Sequence, residues 1–120
     1  MKFCWSTLYV SDMDQSIEFY EEIIGLPVIE RFAPGGSMEI AFLGDGETKI
    51  ELIFDAGKIS PSVGPDISWG FEVDSLDDTI AFLTQRNINI VAGPIEPNPD
   101  TRFIFITDPD GMKIQLVEQK

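Results

Sequence analysis

TLYVSDMDQSIEFYEEIIG, residues 7–25, is the stretch that decides the fold, because it predicts a buried strand followed directly by a capped helix. Leu8 and Val10 alternate with Thr7 and Tyr9, as in a strand with one buried face. Asp12, with a glutamine three residues later, is typical of a helix N-terminus. Apolar residues at helical spacing predict one buried stripe between residues 13 and 24. The glycine at position 25 predicts a left-handed helix end.

A second stretch, GFEVDSLDDTIAFLTQRN at residues 70–87, repeats this pattern. Apolar residues correspond position by position, and the pairs are Val10 with Val73, Met13 with Leu76, Ile17 with Ile80, and Phe19 with Phe82. The repeat extends to KIEL at residues 49–52 and KIQL at 113–116, each of which follows an Asp-Gly turn. The chain therefore predicts two copies of one supersecondary unit, with function expected where the copies meet.

Each half is predicted to contain strand, helix, strand, strand, strand, an α+β arrangement. The predicted strands cover residues 2–10, 26–32, 38–43, 48–54, 67–73, 88–91 at the start of the sixth, 102–107 and 112–117, with helices at 13–24 and 76–85. We expect a turn at 33–37 and a loop at 94–100, where three prolines disfavour an internal ladder. The whole chain is predicted to be one domain, residues 1–120, with module 1 at about 1–55, a linker at 56–66 and module 2 at about 67–120.

Composition excludes several partners. A net charge of −13 repels phosphate backbones, so nucleic acid and anionic membranes are not expected to bind. The single cysteine, Cys4, permits no intramolecular disulfide and is predicted to be a small buried hydrophobe. With no secretion signal and no apolar run of membrane-spanning length, we expect a cytoplasmic protein. The chain has no histidine, which removes the usual general base and the commonest zinc or iron ligand.

The order of elements, together with VSDMDQSIEFY at residues 10–20, Gly-Leu at 25–26 and IFITDPDG at 104–111, resembles the vicinal oxygen chelate superfamily. That superfamily includes glyoxalase I, bleomycin-resistance proteins and extradiol dioxygenases. The resemblance implies two βαβββ modules whose mixed sheets curl into half-barrels, with the helices outside, and a homodimer. It also implies that the metal ligands of the metalloenzymes correspond here to Trp5, Glu51, Ser68 and Gln115. Only Glu51 is a strong ligand, so we predict no metal and no other cofactor.

Strand alternation supports the same positions independently. Trp5, Thr7 and Tyr9 share one face, opposite Leu8 and Val10. Ser68 shares a face with Gly70 and Glu72, while Glu51 and Gln115 point away from their apolar neighbours. A mixed aromatic and polar face is typical of a small-molecule pocket. The predicted ligand-binding set is Trp5, Thr7, Tyr9, Glu51, Ser68 and Gln115.

Individual residues leave alternatives open. Trp5 is either a stacking platform for a planar ligand or a filler of the space that a metal site left. Glu51 is either a general base, and then the only catalytic candidate, or a carboxylate that faces solvent or bonds to Gln115 or Ser68, which we favour. Arg102 is interpreted as a surface ion-pair partner in preference to a clamp for a ligand carboxylate. Asp108 and its neighbours are interpreted as a hairpin turn and not a calcium loop.

Three functions follow from these observations. The first hypothesis is a metal-independent protein that binds and sequesters a small organic molecule. A planar or aromatic molecule is one form that this ligand could take. The second is a lyase or isomerase of the glyoxalase type that uses Glu51 as a base or a weakly held metal. The third is a non-catalytic regulatory or partner-binding subunit whose sheets are only a scaffold, because fold alone does not decide function.

Overall fold

The computed structural model describes residues 1–58 and 61–120, which form two compact units, Met1–Ser62 and Val63–Lys120. The predicted linker at 56–66 includes Ile59 and Ser60, which lie outside the described residues. The assignment of these units to one domain, with a linker between two modules, stays a prediction.

Unit 1 contains four strands and one helix in the predicted order. They are β1 (Trp5–Tyr9), α1 (Met13–Glu18) continued by a π-helical segment (Phe19–Ile24), β2 (Val28–Gly35), β3 (Met38–Leu43) and β4 (Lys49–Asp55). The strand order in the sheet is β1-β4-β3-β2, with β1 parallel to β4 and the other pairs antiparallel. The mixed sheet follows from the crossover through α1, which allows β1 and β4 to run in the same direction.

Local signals at the two ends of this helix act as predicted. The Asp12 carboxylate accepts a hydrogen bond from the Gln15 backbone N–H at 3.0 Å, which satisfies one free N–H of the first turn. Gly25 adopts φ of +87° and ends the helix in the left-handed region. The predicted helix at 13–24 is therefore confirmed in extent, but its second half is π-helical.

Unit 2 repeats the arrangement of unit 1. Its elements are β5 (Ser68–Glu72), α2 (Leu76–Gln85), β6 (Ala92–Asn98), β7 (Thr101–Thr107) and β8 (Lys113–Gln119). The strand order is β5-β8-β7-β6, with β5 and β8 parallel. Ser75 caps α2, because its hydroxyl accepts a hydrogen bond from the Asp78 backbone N–H at 3.1 Å. The two four-stranded mixed sheets confirm the predicted α+β class and the βαβββ order.

The core of each unit lies on one face of its sheet. Leu8, Val10 and Leu52 are buried in unit 1, and Ile104, Ile114 and Leu116 are buried in unit 2, as alternation predicted. Corresponding residues of the two units are not always buried to the same extent. Phe19 is 7% exposed, whereas its counterpart Phe82 is 36% exposed.

Four sequence predictions about local structure are wrong. The turn predicted at 33–37 begins late, because β2 continues to Gly35. The proline-containing loop predicted at 94–100 is largely strand β6, and the strand predicted at 88–91 lies before it. The prolines are tolerated because β6 is the edge of the sheet and pairs with β7 through irregular register. Cys4 is exposed and precedes β1, so it is not a buried hydrophobe.

No helix among the described residues combines the length and apolar character needed to cross a membrane.

Candidate functional site

One face of the unit 1 sheet carries the predicted site residues of this half. The register pairs Trp5 with Lys49, Thr7 with Glu51, and Phe42 with Glu51 from the other side. These five side chains therefore lie on the face opposite the buried Leu8 and Leu52. We call this surface the open face of unit 1, defined by Trp5, Thr7, Tyr9, Phe42, Lys49 and Glu51.

Trp5 forms the aromatic centre of this open face. Its side chain is 52% exposed, and its ring meets Phe42 edge to face with centroids 5.4 Å apart. Such an edge-to-face contact is a favourable geometry for two aromatic rings. Whether Trp5 is a stacking platform or a filler of space stays an open alternative, and its half-exposed side chain is compatible with the first.

A pocket of about 320 Å³ lies beside this aromatic pair. It is lined by residues before β1, by residues from all four strands and by one residue of the loop before β4. The full lining is Lys2, Cys4, Trp5, Ile29, Glu30, Phe42, Glu47 and Lys49. The volume is at the lower end of the range of roughly 300–1,000 Å³ found for small-molecule sites. Its lining combines two aromatic residues with two lysines and two glutamates, so apolar surface and charges of both signs are present.

Thr7 and Glu51 form the polar part of the open face. The Thr7 hydroxyl donates a hydrogen bond to Glu51 Oε1 at 2.6 Å. A hydrogen bond to an ionised acceptor is stronger than a neutral one and holds the carboxylate in one orientation. Neither residue lines the pocket beside Trp5. The structure thus places Glu51 as an oriented carboxylate on the open face, near the pocket.

Tyr9 completes the row on β1. Its ring lies under the Lys58 ammonium, with Nζ 5.4 Å from the ring centroid. The attraction between a cation and an aromatic face stabilises the protein only modestly at an exposed site. The face therefore has an aromatic residue at each end of β1, Trp5 beside the pocket and Tyr9 beside a lysine.

The predicted site residues of unit 2 lie on the corresponding face of its own sheet. Ser68 pairs with Lys113 and Gly70 pairs with Gln115, whose other neighbour in register is Phe105. A Cβ at Gly70 would lie 3.3 Å from Gln115 Oε1, so the amide group covers the glycine. Ser68 and Gln115 are thus on one face, as alternation predicted.

Arg102 lies on the other side of this sheet. Its guanidinium bonds to Asp77 at 3.3 Å and lies 3.8 Å from Glu96. The hydrogen bond to Asp77 and the nearby carboxylates raise the pKa of Arg102, against a smaller opposing effect of burial. This arginine is a partner of helix α2, which agrees with the ion-pair interpretation and removes it from the candidate site.

Asp108 has a structural role in the turn before β8. It is 5% exposed, and its Oδ1 accepts hydrogen bonds from the backbone N–H groups of Asp110 at 2.9 Å and Met112 at 2.8 Å. An aspartate that bonds its own chain in this way builds a turn. The hairpin interpretation of DPDG therefore describes the observed geometry.

The side chains at the four positions that the family resemblance implies for metal ligands lack the chemistry of a metal donor set. Trp5 has no donor atom for a cation, Ser68 and Gln115 provide neutral oxygens, and only Glu51 provides a carboxylate, already bonded to Thr7. Within residues 1–58 and 61–120, no group of three or more histidine, cysteine, aspartate or glutamate side chains could hold a metal ion. A divalent metal normally needs about three good protein ligands, so these residues do not fit the site.

Sequence reasoning missed the pocket itself. Phe42, Lys49 and Cys4 line it, but none was among the predicted ligand-binding residues. Phe42 alternates with the buried Ala41 and Leu43, so its face was readable from the sequence. Its position next to Trp5 was not readable, because it depends on β4 lying between the two strands and on a large aromatic side chain reaching across it.

Comparison with known proteins adds a family relationship. The model of the glyoxalase/bleomycin resistance protein/dioxygenase superfamily matches residues 3–116. A lactoylglutathione lyase from Haemophilus influenzae is 32% identical over all of this chain and 94% of its own length. A lactoylglutathione lyase from Salmonella typhi is 30% identical with the same coverage of both chains.

Solved structures show the same fold. The trypanothione-dependent glyoxalase I of Leishmania major superimposes with a TM-score of 0.83 at 24% identity, covering 98% of this chain and 86% of that chain. An antibiotic-binding protein from Streptomyces sp. CB03234 superimposes with a TM-score of 0.79 at 23% identity, covering all of this chain and 97% of that chain. One fold thus accommodates an enzyme and a protein described by what it binds.

Proposed function

The chain belongs to the glyoxalase/bleomycin resistance protein/dioxygenase superfamily, and from that premise we propose that it is a metal-independent protein that binds a small organic molecule. The observation that carries the proposal is the half-exposed Trp5 ring, held at one edge by Phe42 and lining a pocket of about 320 Å³. Protein pockets that hold small molecules combine such apolar walls with a few oriented polar groups.

Within this proposal the residues of unit 1 have distinct roles. Trp5 stacks on a planar part of the ligand, because aromatic rings pack well in offset or edge-to-face geometry. Thr7 fixes Glu51, whose remaining oxygen accepts a hydrogen bond from a ligand N–H or O–H. Tyr9 extends the aromatic surface. Ser68 and Gln115 stay predicted ligand contacts from unit 2.

The donor chemistry at the family's ligand positions supports metal independence. Replacement of strong ligands by an indole, a hydroxyl and an amide leaves binding to depend on shape, stacking and hydrogen bonds. The antibiotic-binding Streptomyces protein provides a precedent of the same fold, at an identity that supports the fold alone. Homodimer formation and a cytoplasmic location remain predictions of the same account.

A screen tests the proposal directly. Thermal shift measurements with planar antibiotics, bleomycin and aromatic metabolites should yield compounds that raise the melting temperature, because a ligand that binds only the folded state stabilises it. Fluorescence of a Trp69→Phe variant, in which Trp5 is the only tryptophan, should change on binding of such a compound. A broad library without any stabilising compound would count against the binding function.

A second candidate is a lactoylglutathione lyase, favoured by relatives at 30% and 32% identity over the whole chain. In this candidate Glu51 is the base that moves the proton, since its carboxylate is oriented by Thr7 and lies beside the pocket. Lactoylglutathione lyase activity that is present in the purified protein and lost in Glu51→Gln would favour the enzyme over the binding protein.

A further inference from the structure

Unit 2 contains a pocket of its own that involves none of the residues proposed above. Its volume is about 330 Å³, and its walls come from β6, β7, the start of β8 with the turn before it, and the segment before β5. The side chains that matter most for recognition are Pro65, Val91, Ile95, Phe105, Thr107 and Lys113.

The apolar walls of this pocket are exposed but held in place by backbone bonds. Val91 is 61% exposed and Ile95 is 40% exposed, so both present apolar surface to solvent. The Val91 backbone N–H donates to the Phe105 carbonyl at 2.7 Å, which ties this wall to the sheet. At Gly93 a Cβ would lie only 2.7 Å from the Phe103 carbonyl, so the two backbones approach closely there. These backbone contacts therefore fix the position of the chain segment that carries the apolar wall.

Lys113 is the only charged residue among the described residues that line this pocket. Its ammonium lies 5.6 Å from the centroid of Phe105, and Thr107 is its partner in register on β7. Within residues 1–58 and 61–120 it forms no ion pair, although the chain carries a net charge of −13. By contrast, Arg102 on the opposite side of the sheet is paired with Asp77.

An ammonium without a carboxylate partner, set in an apolar cleft beside a hydroxyl, is complementary to a ligand with one negative charge. We propose that this pocket binds a small, largely apolar monocarboxylate, with an aryl or branched alkyl body. The carboxylate accepts hydrogen bonds from the Lys113 ammonium and the Thr107 hydroxyl, while the body packs on Phe105, Val91 and Ile95. The site lies entirely within unit 2 and does not depend on the proposed function of unit 1.

The test compares phenylacetate with its neutral isostere phenylacetamide by titration calorimetry on the intact chain. We expect phenylacetate to bind about tenfold more tightly, the size expected for a charged hydrogen bond at a partly exposed site. Lys113→Gln should remove this preference, and Thr107→Val should reduce it. Both side chains are exposed, so we expect both variants to fold. Added salt should weaken phenylacetate binding more than phenylacetamide binding.

Two controls separate this site from the pocket beside Trp5. Lys49→Gln changes a lysine that lines the unit 1 pocket and does not line this one, and it should leave the phenylacetate preference unchanged. Trp5→Leu should also leave it unchanged, even where it abolishes binding of planar compounds. The proposal is overturned if phenylacetate does not bind, if it binds no better than phenylacetamide, or if Lys113→Gln retains the preference.

Discussion

Replacement of Trp5 by leucine separates the contribution of this side chain to binding from its contribution to stability. Trp5 is 52% exposed, so roughly half of its surface contacts the protein. Complete truncation of a buried tryptophan costs about 3–5 kcal/mol, and half burial with leucine as the replacement reduces the expected cost to about 1–2 kcal/mol. For a domain of this size the melting temperature should fall by about 3–10 °C.

The same substitution should also weaken the binding of a planar ligand. Loss of one aromatic stacking platform costs about 1–3 kcal/mol, which corresponds to a decrease in affinity of about 5- to 150-fold for a planar ligand. Titration calorimetry with the tightest compound from the thermal shift screen measures this decrease at a temperature where the variant remains folded.

Phe82→Leu provides the matched control, because Phe82 is an exposed aromatic residue on α2 in the other unit, near the Arg86 guanidinium. It should lose a comparable or smaller amount of stability and no affinity. The account of the site is refuted if Trp5→Leu binds the compound within about twofold of the unchanged protein, well below the stacking contribution.

Three further changes test other parts of the structure. Glu51→Gln keeps an acceptor for the Thr7 hydroxyl, so the free energy of unfolding measured by urea denaturation should change by less than about 1 kcal/mol. If this variant keeps an unaltered lactoylglutathione lyase activity, Glu51 has no part in any mechanism. Asp108→Ala leaves two backbone N–H groups without their acceptor and should lower the free energy of unfolding by about 2–4 kcal/mol. Asp108→Asn keeps an acceptor oxygen and should lower it much less. Equal losses in the two variants would contradict the turn assignment. Asp12→Ala removes the cap of α1 and should cost about 1 kcal/mol in the same assay, and no loss would show that the cap contributes nothing.

The sequence predicted the helices and most strands because strong local signals agreed with the final packing. The cap at Asp12 and the left-handed Gly25 are set by backbone chemistry within a few residues. The alternation around Leu8 and Leu52 marked the buried faces because burial on one side of a sheet has a period of two.

Features that depend on the sheet edge were not predictable in this way. The prolines of β6 argued for a loop, but at the edge of the sheet a proline can lack its N–H group without the loss of a required hydrogen bond.

Two further features were not predictable from local patterns. Cys4 was expected to be buried, but β1 begins only at Trp5, so the cysteine lies at the rim of the pocket. The π-helical form of residues 19–24 differs from an α-helix by one residue in hydrogen-bond spacing, which an apolar stripe does not resolve.

The candidate site was predictable as a face and not as a pocket. Alternation placed Thr7 and Glu51 on one face, and their hydrogen bond at 2.6 Å agrees with that placement. The pocket requires Phe42 and Lys49 from strands whose order in the sheet follows only from pairing. The grouping of Trp5, Glu51, Ser68 and Gln115 as one site stays a prediction of the family resemblance.

The central claim is that binding needs no metal. The most direct test is titration calorimetry of the tightest planar compound into protein dialysed against EDTA, repeated after addition of nickel, zinc or iron and accompanied by elemental analysis of the protein before dialysis. The account predicts the same affinity in every titration and no stoichiometric metal in the untreated protein. Binding that appears only when a metal is added, and that Glu51→Gln abolishes, would contradict it.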